Sequence, residues 1–299
     1  MDMLRISGLQ KRFGDKEVLR EVDLTVPAGS IFGFIGKNGA GKTTTMKTVL
    51  GLLRADAGQI EVAGERVIYG QTATNRHIGY LPDVPEFYGF MNAQEYLTLC
   101  GEITGMPRDQ IAPRARELMT LVGLDGERHR IRAYSRGMKQ RLGIAQALLH
   151  RPQLLICDEP TSALDPVGRK EILDILLAVR GQTTVLFSTH ILSDVERICT
   201  DVALLDGGTV RMQGTLAELR GGRNVQEYVI ETANTEDLLL LERAFGGMRR
   251  QGENQLCFDE GAHPLHLVLG FLSEHHIGVI RLERIEPTLE SLFLEVTSA

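Results

Sequence analysis

No stretch of this 299-residue chain stays apolar for long. Its longest uninterrupted runs are of the size of Leu267–Leu272 (LVLGFL), whereas a helix needs about 20 apolar residues to span a bilayer. The chain is therefore expected not to cross a membrane by itself. The opening stretch MDMLRISGLQKRFG has no apolar core of the signal-peptide kind, which predicts a protein that stays where it is made. A basic excess is missing too. Lys plus Arg number 33 against 39 Asp plus Glu, so nothing reads as a general nucleic-acid binder. Cysteine is sparse, and Cys100, Cys157, Cys199 and Cys257 lie far apart in sequence. Zinc-knuckle and redox-pair spacings are thereby excluded, leaving buried or free thiols in a reducing compartment. Internal repeats and low-complexity segments are absent.

What is present fits a globular protein: 43% hydrophobic and 24% charged residues. The length is ample for a real core and predicts two domains. The net charge of −6 is unevenly spread. Residues 221–299 carry six arginines and no lysine against thirteen acidic residues, whereas residues 1–220 carry 27 basic and 26 acidic ones. The acidity belongs to the C-terminal quarter.

Short apolar runs alternate with helical patterns over the first 220 residues. Ile31–Ile35, Leu154–Cys157 and Thr184–Ser188 read as buried strands. Helices are expected over 42–50, 168–180 and 191–199. This alternation predicts a parallel sheet covered on both faces, an α/β fold. Met3–Ser7 and Val18–Val26 alternate in polarity and are expected as antiparallel edge strands. Apolar spacing over 93–104, 110–122 and 138–149 predicts a helical insert between two strands. Residues 221–226 resemble a linker. Beyond it, strand 227–232, helix 236–245, strands 247–251 and 254–259, helix 265–275, strand 278–285 and helix 288–296 give the ferredoxin-like order.

Gly36-Lys37-Asn38-Gly39-Ala40-Gly41-Lys42-Thr43 fits G-x-x-x-x-G-K-[ST], the phosphate-binding loop. Backbone N–H groups can converge on a phosphate only where side chains do not intervene, and Gly36, Gly39 and Gly41 provide that. The helix that begins at Lys42, Thr43 and Thr44 points its positive dipole end at the phosphates. Lys42 supplies charge to the β- and γ-phosphates, and the Thr43 hydroxyl can ligate Mg²⁺. The buried strand LLIC ends in Asp158-Glu159, at the sheet edge where open α/β folds bind ligands. Asp158 suits the metal, and Glu159 suits polarising an attacking water. The neighbouring second acid argues for hydrolysis. His190 follows the strand TVLFST and is expected at the same sheet edge, where it can hydrogen-bond the γ-phosphate or the water and so sense ATP against ADP.

Tyr134-Ser135-Arg136-Gly137-Met138 precedes Lys139-Gln140-Arg141, with Ser135 lying 23 residues before Asp158. This string resembles the signature of the ABC-family ATPases, usually LSGGQ. The order phosphate loop, signature, Asp-Glu pair, Ser162-Ala163-Leu164-Asp165 and His190 resembles that family throughout residues 1–220. The likeness is nearest to ATP-binding subunits of prokaryotic exporters whose permease is a separate chain, on the strings YSRGMKQRL, DEPTSALDPVGR and EPTLESLFLEVT. No NKxD guanine motif occurs.

The resemblance implies an ATPase core with an antiparallel β subdomain and a helical insert over about 84–150. It also implies a boundary near 221 and a small accessory or regulatory domain beyond it. Phe13 would stack on adenine. Ser135 and Gly137 would donate hydrogen bonds to the γ-phosphate of ATP held by a second copy, and Asp165 would cross the same interface. Two copies would close on two ATP–Mg²⁺ and drive the permease from the cytoplasmic face of the membrane, with no nucleic acid involved. Four departures stand out. The signature has Tyr134, Arg136 and Met138 where Leu, Gly and Gln are usual. Asp83, after Ile78-Gly79-Tyr80-Leu81-Pro82, takes the place of the glutamine-loop residue, which puts its metal role in question. The aromatic cluster Tyr80, Phe87, Tyr88 and Phe90 reads either as insert core or as a groove for a permease helix. His275 and His276 are adjacent, so they point in different directions and do not suggest a metal. Two other readings stay open: a soluble ABC ATPase acting on nucleic acid or ribosomes, and a nucleotide-gated regulator that hydrolyses little.

Overall fold

The computed structural model describes residues 1–71, 73–221, 227–285, 289–290 and 292–293. The chain opens with a hairpin whose strands alternate in burial. β1 (Asp2–Phe13) and β2 (Lys16–Pro27) turn at Gly14-Asp15 and pair antiparallel. β3 (Ile31–Ile35) is buried at all five positions, as a continuous apolar run requires when both sheet faces are covered. The glycine-rich loop carries it into α1 (Lys42–Val49). β4 (Ala57–Val62), β5 (Glu65–Arg66) and β6 (Ile78–Leu81) follow. The helical insert holds α2 (Ala93–Ile103), α3 (Arg108–Leu121) and α4 (Arg136–Ala147). Asn92 starts α2 with a reciprocal cap: its side chain accepts from Glu95 N–H, and Glu95 accepts from Asn92 N–H. Strand–helix alternation resumes with β7 (Leu154–Asp158), α5 (Pro166–Ala178), β8 (Thr184–Thr189), α6 (Leu192–Ile198) and β9 (Asp201–Asp206). β10 (Thr209–Thr215) and α7 (Leu216–Gly221) come next.

Two compact units divide after Leu216. In the first, six strands run in the order β10-β9-β3-β8-β7-β6, all parallel except β10 at one edge. The hairpin belongs to a separate antiparallel sheet, β2-β1-β4-β5. Met3–Ser7 is therefore not an edge strand: β1 pairs with β2 on one side and β4 on the other. α1 fills the space between the sheets. Its Met46 and Val49 share one apolar cluster with Leu4, Leu24, Phe34 and Ile156. No described helix is long and apolar enough to cross a membrane.

The second unit contains β11 (Glu227–Thr232), α8 (Thr235–Ala244), β12 (Arg249–Arg250), β13 (Gln255–Asp259), α9 (Leu265–Glu274) and β14 (Val279–Ile285). Its order β12-β13-β11-β14, antiparallel throughout, is the ferredoxin-like arrangement. Leu238 and Leu241 of α8 and Val268 and Leu272 of α9 cover Ile230, Leu256 and Phe258 on one sheet face. Only Arg249–Arg250 of the expected strand 247–251 pairs. The expected linker lies, apart from Gly221, outside the described residues. So does most of the expected last helix, of which Leu289–Glu290 and Leu292–Phe293 are helical.

In β6, Gly79 lies against the end of α4. A Cβ added there would sit 2.1 Å from the Ala147 carbonyl oxygen, a backbone atom that cannot swing away. Gly79→Ala is expected to destabilise the protein by about 1–3 kcal/mol, visible as a lower urea midpoint for the first unit.

Candidate functional site

The phosphate loop begins where β3 ends at the carboxyl edge of the parallel sheet. Two glycines are needed for different reasons. At Gly36 a Cβ would lie 2.6 Å from the Leu205 carbonyl oxygen, so space excludes it. Gly41 precedes α1 with φ 113°, a left-handed conformation unfavourable to side chains. Lys42 folds back over the loop. Its Nζ donates to the Gly36 carbonyl at 2.6 Å, and only 5% of the residue is exposed.

β7 and β8 supply the opposite wall. Their parallel register sets Asp158 beside Ser188. The Ser188 hydroxyl donates to Asp158 Oδ1 at 2.7 Å and accepts the Glu159 N–H at 2.9 Å. One hydroxyl thus holds both acids. Glu159 turns off the strand with φ 50°, the left-handed region, at a cost of roughly 1–2 kcal/mol. That turn brings its carboxylate to Lys42, with Oε1 3.1 Å from Nζ, and to His190, with Oε2 2.9 Å from Nδ1. Asp158 is buried almost completely. A second buried carboxylate, Asp194 of α6, accepts from the Thr161 hydroxyl and from Arg169, each at 2.7 Å. It ties the turn after Glu159 to α5 and α6.

A cavity of about 500 Å³ opens between these walls. Asn38, Gly39, Gly41, Lys42, Thr43, Thr44, Asp83, Glu159 and His190, all singled out in the sequence, line it. Ala40 lines an adjoining cavity of about 270 Å³ together with Lys37 and Asn38. Burial, with repulsion from Asp158 and Glu159, raises the Asp83 carboxyl above the usual range, and Arg136 opposes this. Phe13, Gly36, Ser135, Gly137, Asp158 and Asp165 do not line either cavity. Phe13 is half exposed at the end of β1, with Lys11 Nζ 5.4 Å from its ring centre. Ser135 is exposed and caps α4, its hydroxyl oxygen accepting from Met138 N–H at 3.2 Å. Asp165 is likewise exposed and caps α5 through Gly168 N–H.

Sequence reasoning missed Lys16, Val18 and Ser162, which also line the cavity. It also missed the clamping role of Ser188 and the Thr161–Asp194–Arg169 group. Ser188 was within reach, because it stands one residue from the end of a strand beside the Asp158 strand. The others depend on non-local packing.

The aromatic cluster divides. Phe87 packs edge-on against Tyr96 of α2, with centroids 5.1 Å apart, and Tyr80 is partly buried against the main core. Tyr88 and Phe90 lie 5.9 Å apart and are 55% and 66% exposed. No group of three or more His, Cys, Asp or Glu able to hold a metal occurs among the described residues.

A phosphate loop, an acid pair and a histidine, converging from adjacent parallel strands, make the first unit a P-loop nucleotide hydrolase. The family described as "ABC transporter" matches residues 19–162. The Bacillus subtilis (strain 168) ABC transporter ATP-binding protein YxlF is 36% identical over 300 residues, covering 99% of this chain and 100% of its own. The linearmycin resistance ATP-binding protein LnrL of the same organism is 33% identical, covering 99% of this chain and 98% of its own. A solved ATP-binding subunit of an ABC transporter superposes with a TM-score of 0.67 at 32% identity, covering 74% of this chain and 92% of that one. The chain belongs to the ABC transporter family as an ATP-binding subunit, an ATPase coupled to transport. The resemblance carried by the signature, and the α/β fold it implied, therefore hold.

Removing the Ser188 hydroxyl strands the Glu159 N–H and one Asp158 oxygen. Ser188→Ala is expected to cost about 1–3 kcal/mol of stability and to lower ATP turnover with it, checked by urea unfolding and a steady-state ATPase assay on the same preparation.

Proposed function

We propose that two copies of this chain close on two ATP–Mg²⁺ and thereby drive a separate membrane-spanning permease in the exporting direction. The observation that carries this reading is the split of the predicted nucleotide contacts. Asn38 to Thr44 line the chain's own two adjoining cavities, while Ser135, Gly137 and Asp165, like Phe13 and Gly36, stand outside them, with Ser135 and Asp165 exposed where a second copy can reach them. ATP held by one copy would accept hydrogen bonds from Ser135 and Gly137 of the other. Phe13 would stack on adenine, and Asp165 would face its counterpart across the pair.

The residues fit Mg²⁺. Thr43 offers a hydroxyl in the cavity, and Asp158 offers a buried carboxylate with only one oxygen committed to Ser188. The ion needs few protein ligands when phosphate oxygens complete its shell. Bound there, it would neutralise charge developing on the phosphates. Asp83 borders the same cavity and would offer a further oxygen ligand.

Glu159 carries the base role. Its carboxylate contacts Lys42 and His190 in this structure. Phosphate arriving at Lys42 competes for that ammonium and frees one carboxylate oxygen to orient and deprotonate water. His190 keeps the other oxygen in place and reaches the γ-phosphate.

We assign residues 1–220 to the ATPase domain, with a helical subdomain over about 84–150, and 221–299 to an accessory or regulatory domain. The exposed side chains of Val84, Tyr88 and Phe90 suit a permease's cytoplasmic helix. That contact would hold the chain on the cytoplasmic face of the membrane, with no nucleic acid as partner. The export direction rests on the likeness to a resistance protein.

Glu159→Gln is expected to lower turnover about 100- to 10,000-fold while leaving ATP binding intact, and to accumulate ATP-dependent dimers on light-scattering chromatography. Wild-type turnover no faster than that of the variant would defeat the hydrolytic assignment, and a variant that stays monomeric in ATP would defeat the paired one.

A further inference from the structure

Two positions that depart from the usual family pattern face each other. Arg136 Nη2 lies 3.6 Å from Asp83 Oδ1. Four residues further along α4, on the same helix face, Gln140 donates to the Asp83 carbonyl at 2.7 Å. Gln140 is fully buried, so the Asp83 backbone is fixed and only the carboxylate can choose its partner. On its other side Asp83 borders the cavity shared by Lys42, Thr43, Glu159 and His190.

The carboxylate is poorly served where it is. Oδ1 is shielded from solvent and has no hydrogen bond. A separation of 3.6 Å to Arg136 gives charge attraction without one. Asp158 and Glu159 repel Asp83 from the cavity side. A divalent cation beside Asp158 would reverse the sign of that field and draw Asp83 inward.

We infer that Asp83 is contested by two cations, Arg136 of the signature and the nucleotide's Mg²⁺, and that Arg136 holds Asp83 back until ATP–Mg²⁺ is loaded. Arg136 sits between Ser135 and Gly137. Loading of a copy's own phosphate loop therefore changes the charge it presents to its partner's nucleotide. By linkage, whatever engages Arg136 from outside strengthens Mg²⁺ binding by the same factor. Arg136 is in this account a positioning residue, acting through Asp83. The inference rests on the cavity being the ATP–Mg²⁺ site.

The test is a double-mutant cycle on the full-length protein. A fluorescent ATP analogue is bound, and Mg²⁺ is titrated by calorimetry. Arg136→Ala is expected to lower the Mg²⁺ midpoint about two- to fivefold, the range of a half-exposed ion pair, and Arg136→Lys is expected to shift it less. In an Asp83→Asn background Arg136→Ala is expected to change nothing. An equal shift in that background, or no shift in the wild type, overturns the inference, because Arg136 would then act without Asp83 or not at all. Failure of the wild type to bind the analogue would instead overturn the assignment of the cavity. Both side chains are half exposed, so the variants are expected to melt with the wild type before nucleotide is added.

Discussion

Lys42 is a cation taken almost wholly out of water, and the site is arranged around that constraint. An ammonium buried without a partner costs several kcal/mol, so its position depends on an anion close by. The Glu159 carboxylate provides one at 3.1 Å, and reaches it only because the backbone turns into the left-handed region. The Ser188 hydroxyl holds that turn. Lys42 and Glu159 come after β3 and β7, and Ser188 stands in β8, which lies between those two strands in the sheet order. The sheet register and the charge contact therefore support one another. In this arrangement a protein carboxylate occupies the electrostatic role that a phosphate would take.

The parts of the site legible in the sequence were those written as contiguous strings at strand ends. Gly36–Thr43, Asp158-Glu159 and His190 could be read because a parallel sheet brings the carboxyl ends of its strands to one edge. β6, β9 and β10 did not stand out. β6 is four residues long, β9 is bounded by Asp201 and Asp206, and β10 is a polar edge strand with a glycine near its end. The hairpin was legible as two alternating strands, but alternation does not say which strands lie beside them. β4 joined β1 across more than forty residues. The Thr161–Asp194–Arg169 group was out of reach for the same reason, since its members meet only after α5 and α6 have packed.

The second unit is built on other terms. Its core is a small apolar layer under two helices. The opposite sheet face is lined by charge, with Arg249 paired to Glu227 and Arg281 to Glu283. Two of the thirteen acidic residues of 221–299 are thus matched on that face by arginines. Half-exposed pairs of this kind add little to stability. They do make the face polar, and unpaired sheet surface of that character resists indiscriminate stacking.

Ser135 caps α4 by accepting from Met138 N–H. Ser, Asp and Asn cap helices about equally well, so folding alone leaves the choice among them open. A serine hydroxyl, however, is one donor as well as an acceptor. Capping occupies one of its two oxygen lone pairs and leaves the proton unassigned. An aspartate in the same place would start the helix equally well, yet would offer only negative charge to anything approaching from outside. The fold alone therefore does not decide between serine and aspartate here, and serine keeps a donor that aspartate lacks.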